Sequence, residues 1–291
     1  MKLLRKLYML AVRMHLAKPV ILVNIDGGIC SQMQQYLMGH LLAQHGYAIR
    51  YDLSFYEYGR DTEGRQVRNF DLLKAFPRLT FKSAPRWKRS LYRRCFRYIG
   101  HYPNDTMSDW LNQHPPIFLG GYFADVQSMY TDYKELFLID ANILDAANLA
   151  IYQAIPDNSV AVHIRRGDLS KYNEAYGHPA SVNYFVQAIC LLEERLKHPA
   201  FYFFSDDMDY VRREILTAIP MSINSTEIEN GAERGYYDLF LMSRCHHHIT
   251  SKGSLGKFAS CLNPHRGIAV ELKDDRQLGP LAFADQEIIT L

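Results

Sequence analysis

The chain has 291 residues, 48% of them hydrophobic and 22% charged, with a formal net charge of +2. That is the composition of a globular protein with a substantial core, in one large domain or two smaller ones. It excludes a disordered chain, and the near balance of charge lacks the global basic field of a nucleic-acid binder. The five cysteines, Cys30, Cys95, Cys190, Cys245 and Cys261, are odd in number, widely spaced and form no C-x-x-C pair. Neither a disulfide framework nor a zinc site is indicated, and a reducing compartment is expected.

Residues 1–19 are apolar with interspersed cations, and their longest uncharged run, Leu7 to Val12, is too short to cross a bilayer. A short amphipathic helix is expected there, packed or facing solvent; resting on a membrane surface is the alternative. Pro19 to Ile25 reads as a strand, Asp26-Gly27-Gly28 as a turn, Gln32 to His45 as a helix stopped by Gly46, and Tyr47 to Leu53 as a second strand. The strand–turn–helix junction is a candidate ligand loop. Backbone N–H groups at a helix start attract anions, and Gly27 and Gly28 permit close approach, with Gln32 nearby. The loop lacks the G-x-G-x-x-G pattern. Arg60 to Arg68 reads as a polar loop and Pro103 to Pro116 as irregular. Between them, Lys82 to Arg97 carries seven cations and no acid, interleaved with Trp87, Tyr92 and Phe96. This segment is either a solvated basic helix or a contact for an anionic membrane surface or a lipid-diphosphate-linked acceptor.

The second half alternates strands and helices. Strands are expected at Ser159 to Ile164, Phe201 to Phe204, Met221 to Ile223, His247 to Thr250 and, last, Gly267 to Leu272. Helices are expected from Val182 to Leu196, from the Ser205-Asp206-Asp207 caps to about Ile219, from Tyr236 to Arg244 and from Ser254 to Leu262. Such alternation implies βαβ units and a parallel sheet, with ligands at the carboxyl ends of the strands. The expected architecture is α/β: two Rossmann-like domains, 1–156 and 157–291, facing a cleft.

Four segments of this half bear on chemistry. His163-Ile-Arg-Arg-Gly-Asp168 closes a strand. Its adjacent guanidinium groups, Arg165 and Arg166, stay charged and suit the oxygens of a diphosphate, or else form surface ion pairs. Asp206 and Asp207 close the next strand. They can accept from guanine, cap the following helix, or, with Asp209, form an Asp-x-Asp metal site. Ser251-Lys252-Gly253-Ser254 is a phosphate nest or a helix cap. The run His246-His247-His248 would send His247 to the opposite face from its neighbours, which argues against three convergent metal ligands.

Together these segments resemble the bacterial α-1,2-fucosyltransferases. The resemblance runs through Gly27 to Tyr36, Gly120-Gly121-Tyr122-Phe123, the HxRRGD of His163 to Asp168, the Ser-Asp-Asp within Phe203 to Val211, and Asp238 to Cys245. It spans roughly Val20 to Asn263. The family's Gly-Asn in the opening motif is here Cys30-Ser31, and its serine- and tryptophan-rich segment is here Lys252 to Phe258. The resemblance implies a GT-B-like glycosyltransferase that uses GDP-fucose, requires no metal or other cofactor, and inverts the anomeric centre. Its acceptor would be a glycan or lipid-linked oligosaccharide, through the 2-hydroxyl of galactose. By motif match, His163, Arg165 and Arg166 would hold nucleotide and diphosphate, Asp206 or Asp207 the guanine, and Ser254 the phosphates. The second domain would bind the donor and the first the acceptor. The setting implied is cytoplasmic, with peripheral contact to the inner membrane and no nucleic acid. Inverting transfer also needs a base, and Glu174, Asp168 and Asp26 are the candidates. The rival expectations are a metal-dependent transferase using Asp207 and Asp209, and a non-catalytic GDP-sugar or glycan binder.

Overall fold

The structure is a computed structural model that describes residues 2–57, 68–96, 98–101, 117–121, 130–171, 178–273 and 286–291. The chain divides into two compact units, Met1–Asp132 and Tyr133–Leu291.

The first unit is built on a parallel sheet of β1 (Ile21–Asn24), β2 (Ile49–Asp52), β3 (Tyr98–His101) and β4 (Ile117–Gly121), in the order β2-β1-β4-β3. Ile21, Leu22 and Val23 are fully buried, because β1 is central and covered on both faces. The helix Ile29–Gln44 begins three residues earlier than its polar start suggests, and Gly28 occupies the N-cap position. Gly39 on this helix lies against the Tyr51 ring, where a Cβ would sit 2.6 Å from the hydroxyl. That close approach lets Tyr36, Tyr51 and Phe81 stack, with centroids 5.3 and 4.5 Å apart along the column.

The basic segment forms the helix Arg86–Cys95. It is anchored by buried Tyr92, whose hydroxyl donates to the Val20 carbonyl at 2.6 Å. The amphipathic helix Lys2–Arg13 packs Tyr8 edge-on against Tyr92 and Phe96. Its Leu3, Leu4, Leu7 and Leu10 remain exposed. Among the described residues no helix is long and apolar enough to cross a membrane.

The second unit holds six parallel strands, β5 (Ser159–Ile164), β6 (Ala200–Ser205), β7 (Ser225–Ile228), β8 (His247–Ile249), β9 (Ile268–Glu271) and β10 (Glu287–Thr290). Their order is β10-β9-β8-β5-β6-β7. Every residue of β5 is buried, which explains its nearly continuous apolar sequence. The helix Val182–Leu196 starts at Ser181, whose hydroxyl accepts from the Tyr184 amide, and it sends Phe185, Ala188, Ile189 and Leu192 into the core.

Several expected elements shift. The strand expected at Met221 to Ile223 is a turn, and pairing with β6 moves to Ser225–Ile228, whose polar residues lie on an exposed edge. Met221 is fully exposed, so its hydrophobicity misdirected the expectation. The helix after Asp207 runs only to Ile215, its Val211–Ile215 part in π geometry. β9 is not the last strand, because β10 adds to it in parallel. The loops expected at 60–68 and 103–116 fall almost wholly outside the described residues.

Candidate functional site

Chain order runs outward from β5 through β6 to β7, then restarts at β8 and runs the other way to β10. The reversal lies between β5 and β8, and such switch points leave a crevice at the carboxyl ends of the strands. Three loops meet there, at 165–167 after β5, 205–207 after β6 and 250–254 after β8.

Asp206 organises this edge. Its Oδ1 accepts the backbone N–H groups of Arg166 at 2.8 Å and Gly167 at 3.0 Å, while its Oδ2 pairs with the Arg165 guanidinium at 2.6 Å. The glycine is required: a Cβ on Gly167 would come within 2.8 Å of the Asp206 carboxylate. Across the switch point the Arg165 amide donates to Ser251 Oγ at 2.9 Å.

Arg166 lies over the Tyr210 ring, its guanidinium carbon 3.5 Å from the centroid. Its Nε is 3.3 Å from Asp207 Oδ2 but off hydrogen-bonding geometry, so that buried donor lacks a hydrogen-bond partner. Asp207 also caps its helix, accepting from the Tyr210 amide at 3.1 Å. Asp209 turns outward to Arg212 at 3.3 Å. Both carboxylates of the Asp-x-Asp therefore already face an arginine.

The helix Ser254–Leu262 begins at this edge with Gly253 at its N-cap and no side-chain cap. Gly253 has φ +96°, in the left-handed region, and a Cβ there would sit 3.6 Å from Arg165 Cγ. An uncapped N-terminus beside Arg165 is an arrangement that stabilises anions. Ser254 is the first residue of that helix. His163 lies one layer deeper, 6% exposed, with its ring against Gly256; a Cβ on Gly256 would fall 2.8 Å from the His163 Cβ. Burial pulls its pKa down to about 4, against a smaller opposing effect of Asp206, so the ring is neutral at pH 7. Its Nδ1 is buried without a hydrogen-bond partner.

In the first unit the turn after β1 is a hydrogen-bonded knot. Asp26 accepts from Gln35 and Asn24, each at 2.7 Å, and its amide donates to Gln35 at 2.9 Å. Burial raises the Asp26 pKa, those hydrogen bonds opposing. Gln32 is consumed in bridging: it donates to the carbonyls of Gly27 and Asn69 and accepts from the amides of Asp71 and Leu72. Gly27 adopts φ +70°, and its carbonyl also accepts from Tyr56 at 2.9 Å. Gly28 approaches Arg68, whose Nη1 would lie 3.6 Å from a Cβ.

The structure thus brings together Arg165, Arg166, Asp206, Asp207 and Ser254, with His163 below. Asp168 lies in the short helix Gly167–Lys171, and Glu174 falls outside the described residues. The histidine run is dispersed: His248 is buried against the Met242 carbonyl, His247 accepts from the Ile268 amide, and His246 stacks on His265. Tyr210 and Gly256 were not foreseen. Tyr210 had a signal, an aromatic one helical turn after the Asp207 cap; Gly256 had none, since its role depends on a strand distant in sequence.

The family model for glycosyl transferase family 11 matches residues 100–278, well over half of the chain. An α-1,2-colitosyltransferase of Escherichia coli is 32% identical over 117 residues, covering 39% of each protein. A galactoside 2-α-L-fucosyltransferase of Bos taurus is 25% identical over 177 residues, 55% of this chain and 48% of that protein. The chain thus spans less than half the length of these curated relatives. Among solved structures, the fucosyltransferase NodZ from Bradyrhizobium superposes with a TM-score of 0.50 at 13% identity, over 85% of this chain and 93% of its own. NodZ soaked with GDP-fucose gives 0.50 at 12%, over 88% and 96%. At that identity the likeness is one of fold, and it agrees with the GT-B-like α/β class expected from the sequence. With the HxRRGD loop at the switch point of a parallel sheet and a family model matched across it, the chain belongs to glycosyl transferase family 11.

Proposed function

We propose that this chain transfers L-fucose from GDP-fucose, with inversion and without a metal, to the 2-hydroxyl of galactose in a glycan or lipid-linked oligosaccharide. The observation that carries the reading is the pair Arg165 and Arg166 held by Asp206 and Asp207 beside the uncapped start of helix Ser254–Leu262. Two fixed guanidinium groups and a helix dipole neutralise charge that builds on a departing diphosphate, the task a metal performs elsewhere. Asp207 and Asp209 are committed to arginines, which disfavours the metal-dependent alternative. The names of the relatives support the rest: one is a galactoside 2-α-L-fucosyltransferase, the other an α-1,2-colitosyltransferase, and the NodZ crystals were soaked with GDP-fucose.

In this reading residues 157–291 bind the donor and 1–156 the acceptor. Guanine is accepted at Asp206 or Asp207, and the phosphates lie over Ser254. Asp26, Asp168 and Glu174 are the candidates for the base that removes the acceptor proton. Asp26 has support in its raised pKa, which brings a carboxylate closer to the proton affinity a base needs. The chain works in the cytoplasm, touching the inner membrane through the basic residues 82–97. Colitose is a second donor sugar to consider, because one relative is named for it.

A panel of nucleotide sugars tests this without knowledge of the acceptor. Slow hydrolysis should appear with GDP-fucose or GDP-colitose and persist in EDTA. Activity abolished by EDTA would restore the metal-dependent alternative, and GDP binding without turnover on water or any acceptor would make the chain a binding protein.

A further inference from the structure

The first unit contains a cavity of about 260 Å³ lined by Ser54, Glu57, Arg86, Arg89, Ser90, Arg93 and Arg94. It is smaller than the roughly 300 Å³ at which pockets for drug-sized ligands begin, and fits one or two phosphoryl groups better than a nucleotide. Its charges do not cancel. Beneath it Asp52, fully buried, pairs with Arg89 at 3.6 Å and Arg93 at 3.1 Å. On its rim Glu57 pairs with Arg89 at 2.7 Å. Arg93 also donates to the Ser54 hydroxyl. Among the described residues no carboxylate pairs with Arg86 or Arg94. Four guanidinium groups set against two carboxylates leave two positive charges, the complement of a phosphate dianion.

Arg89 is 9% exposed, its terminal nitrogens already taken by Asp52 and Glu57, so it forms the pocket's neutralised floor and leaves the free charge to its neighbours. The rigid scaffold also suits a bound anion, since buried Tyr92 pins the same helix to the Val20 carbonyl at 2.6 Å.

We infer that this cavity of the first unit binds a phosphate-bearing group, a phosphomonoester or diphosphate. Arg86 and Arg94 supply the uncompensated charge, and Ser54 and Ser90 the hydroxyls. The group can be free in solution or carried on a lipid, and the recognition chemistry is the same.

Inorganic pyrophosphate, titrated calorimetrically into the full chain with saturating GDP present, is the test. GDP blocks the loops of the second unit if the donor reading holds; if it does not, loss of binding in the Arg86/Arg94 variant assigns the pyrophosphate to this pocket. Pyrophosphate should bind, and Arg86→Gln/Arg94→Gln should weaken it by about a hundredfold or more, each of the two charge-assisted hydrogen bonds being worth about tenfold. Both residues lie outside the ion pairs that hold the helix, so the melting temperature and GDP binding should not change. No pyrophosphate binding at millimolar concentration overturns the inference, and so does binding that the double variant leaves intact. Vesicles containing phosphatidic acid identify the source: capture released by pyrophosphate indicates a lipid-borne phosphate, and pyrophosphate binding without capture a soluble one.

Discussion

Replacing Arg165 with alanine separates catalysis from stability, because the structure shows what each would lose. In the folded protein Arg165 pairs with Asp206 at 2.6 Å, the two side chains 26% and 24% exposed. Removing it does not strand the carboxylate, which keeps the amides of Arg166 and Gly167 at 2.8 and 3.0 Å. The stability cost is therefore that of a partly solvated ion pair, about 1 kcal/mol. In a domain of this size that lowers the melting temperature by only about 2–4 °C. The transition state loses far more if this guanidinium neutralises the departing diphosphate: about 3 kcal/mol or more, at least roughly a hundredfold in rate. Initial rates of GDP release from GDP-fucose and a melting curve on the same sample measure both quantities. Arg165→Lys, which keeps charge without the planar fork, should fall between. A folded Arg165→Ala protein that releases GDP at close to the wild-type rate removes Arg165 from the mechanism.

Asp206→Ala should show the opposite balance. It orphans two backbone donors and Arg165 together, so it should destabilise by about 2–4 kcal/mol, seen as a shift in urea midpoint, because hydrogen bonds to a charged acceptor are each worth about 1.5–3 kcal/mol. Gly256→Ala should cost about 1–3 kcal/mol by overpacking against His163, since its Cβ would fall 2.8 Å from that residue; an unchanged melting temperature would mean the ring has room to move. Acid should also destabilise the protein. Burial lowers the pKa of His163 to about 4 and of His248 to about 3, whereas the unfolded chain titrates near 6.5. At these two histidines the unfolded state binds more protons below 6.5, and stability present above that pH is lost as pH falls toward 4, at up to about 1.4 kcal/mol per pH unit per histidine. Asp238, whose carboxyl burial raises to about 7, opposes them with the same slope, so His248→Gln should flatten the acid loss of melting temperature between pH 6.5 and 4; an unchanged pH profile in that variant would contradict the burial of the ring.

Legibility in the sequence followed burial. β5 could be read because a central parallel strand must be apolar throughout, and Ser254–Leu262 was found residue for residue because its start follows a glycine and its stripe faces the core. β7 was not legible: Ser-Thr-Glu-Ile is an edge strand with three exposed residues, held by backbone pairing that hydropathy does not record. The arginines could be placed at a strand end, but not their restraints. That Asp206 holds them through backbone amides depends on β5 and β6 lying side by side, a pairing between positions about 40 apart in the chain. For the same reason the sequence did not show that the Gln32 amide bridges the turn after β1 to the Asn69–Leu72 segment.

Titration of GDP in EDTA into the wild-type chain and into Arg165→Ala/Arg166→Ala bears most directly on the role of the β5 loop. The wild type should bind GDP without metal, and the double variant, still folded, should bind it at least about a hundredfold more weakly, two charge-assisted contacts being lost. Equal affinity in the two proteins, or no GDP binding by either, would contradict the assignment of the paired guanidinium groups to the diphosphate.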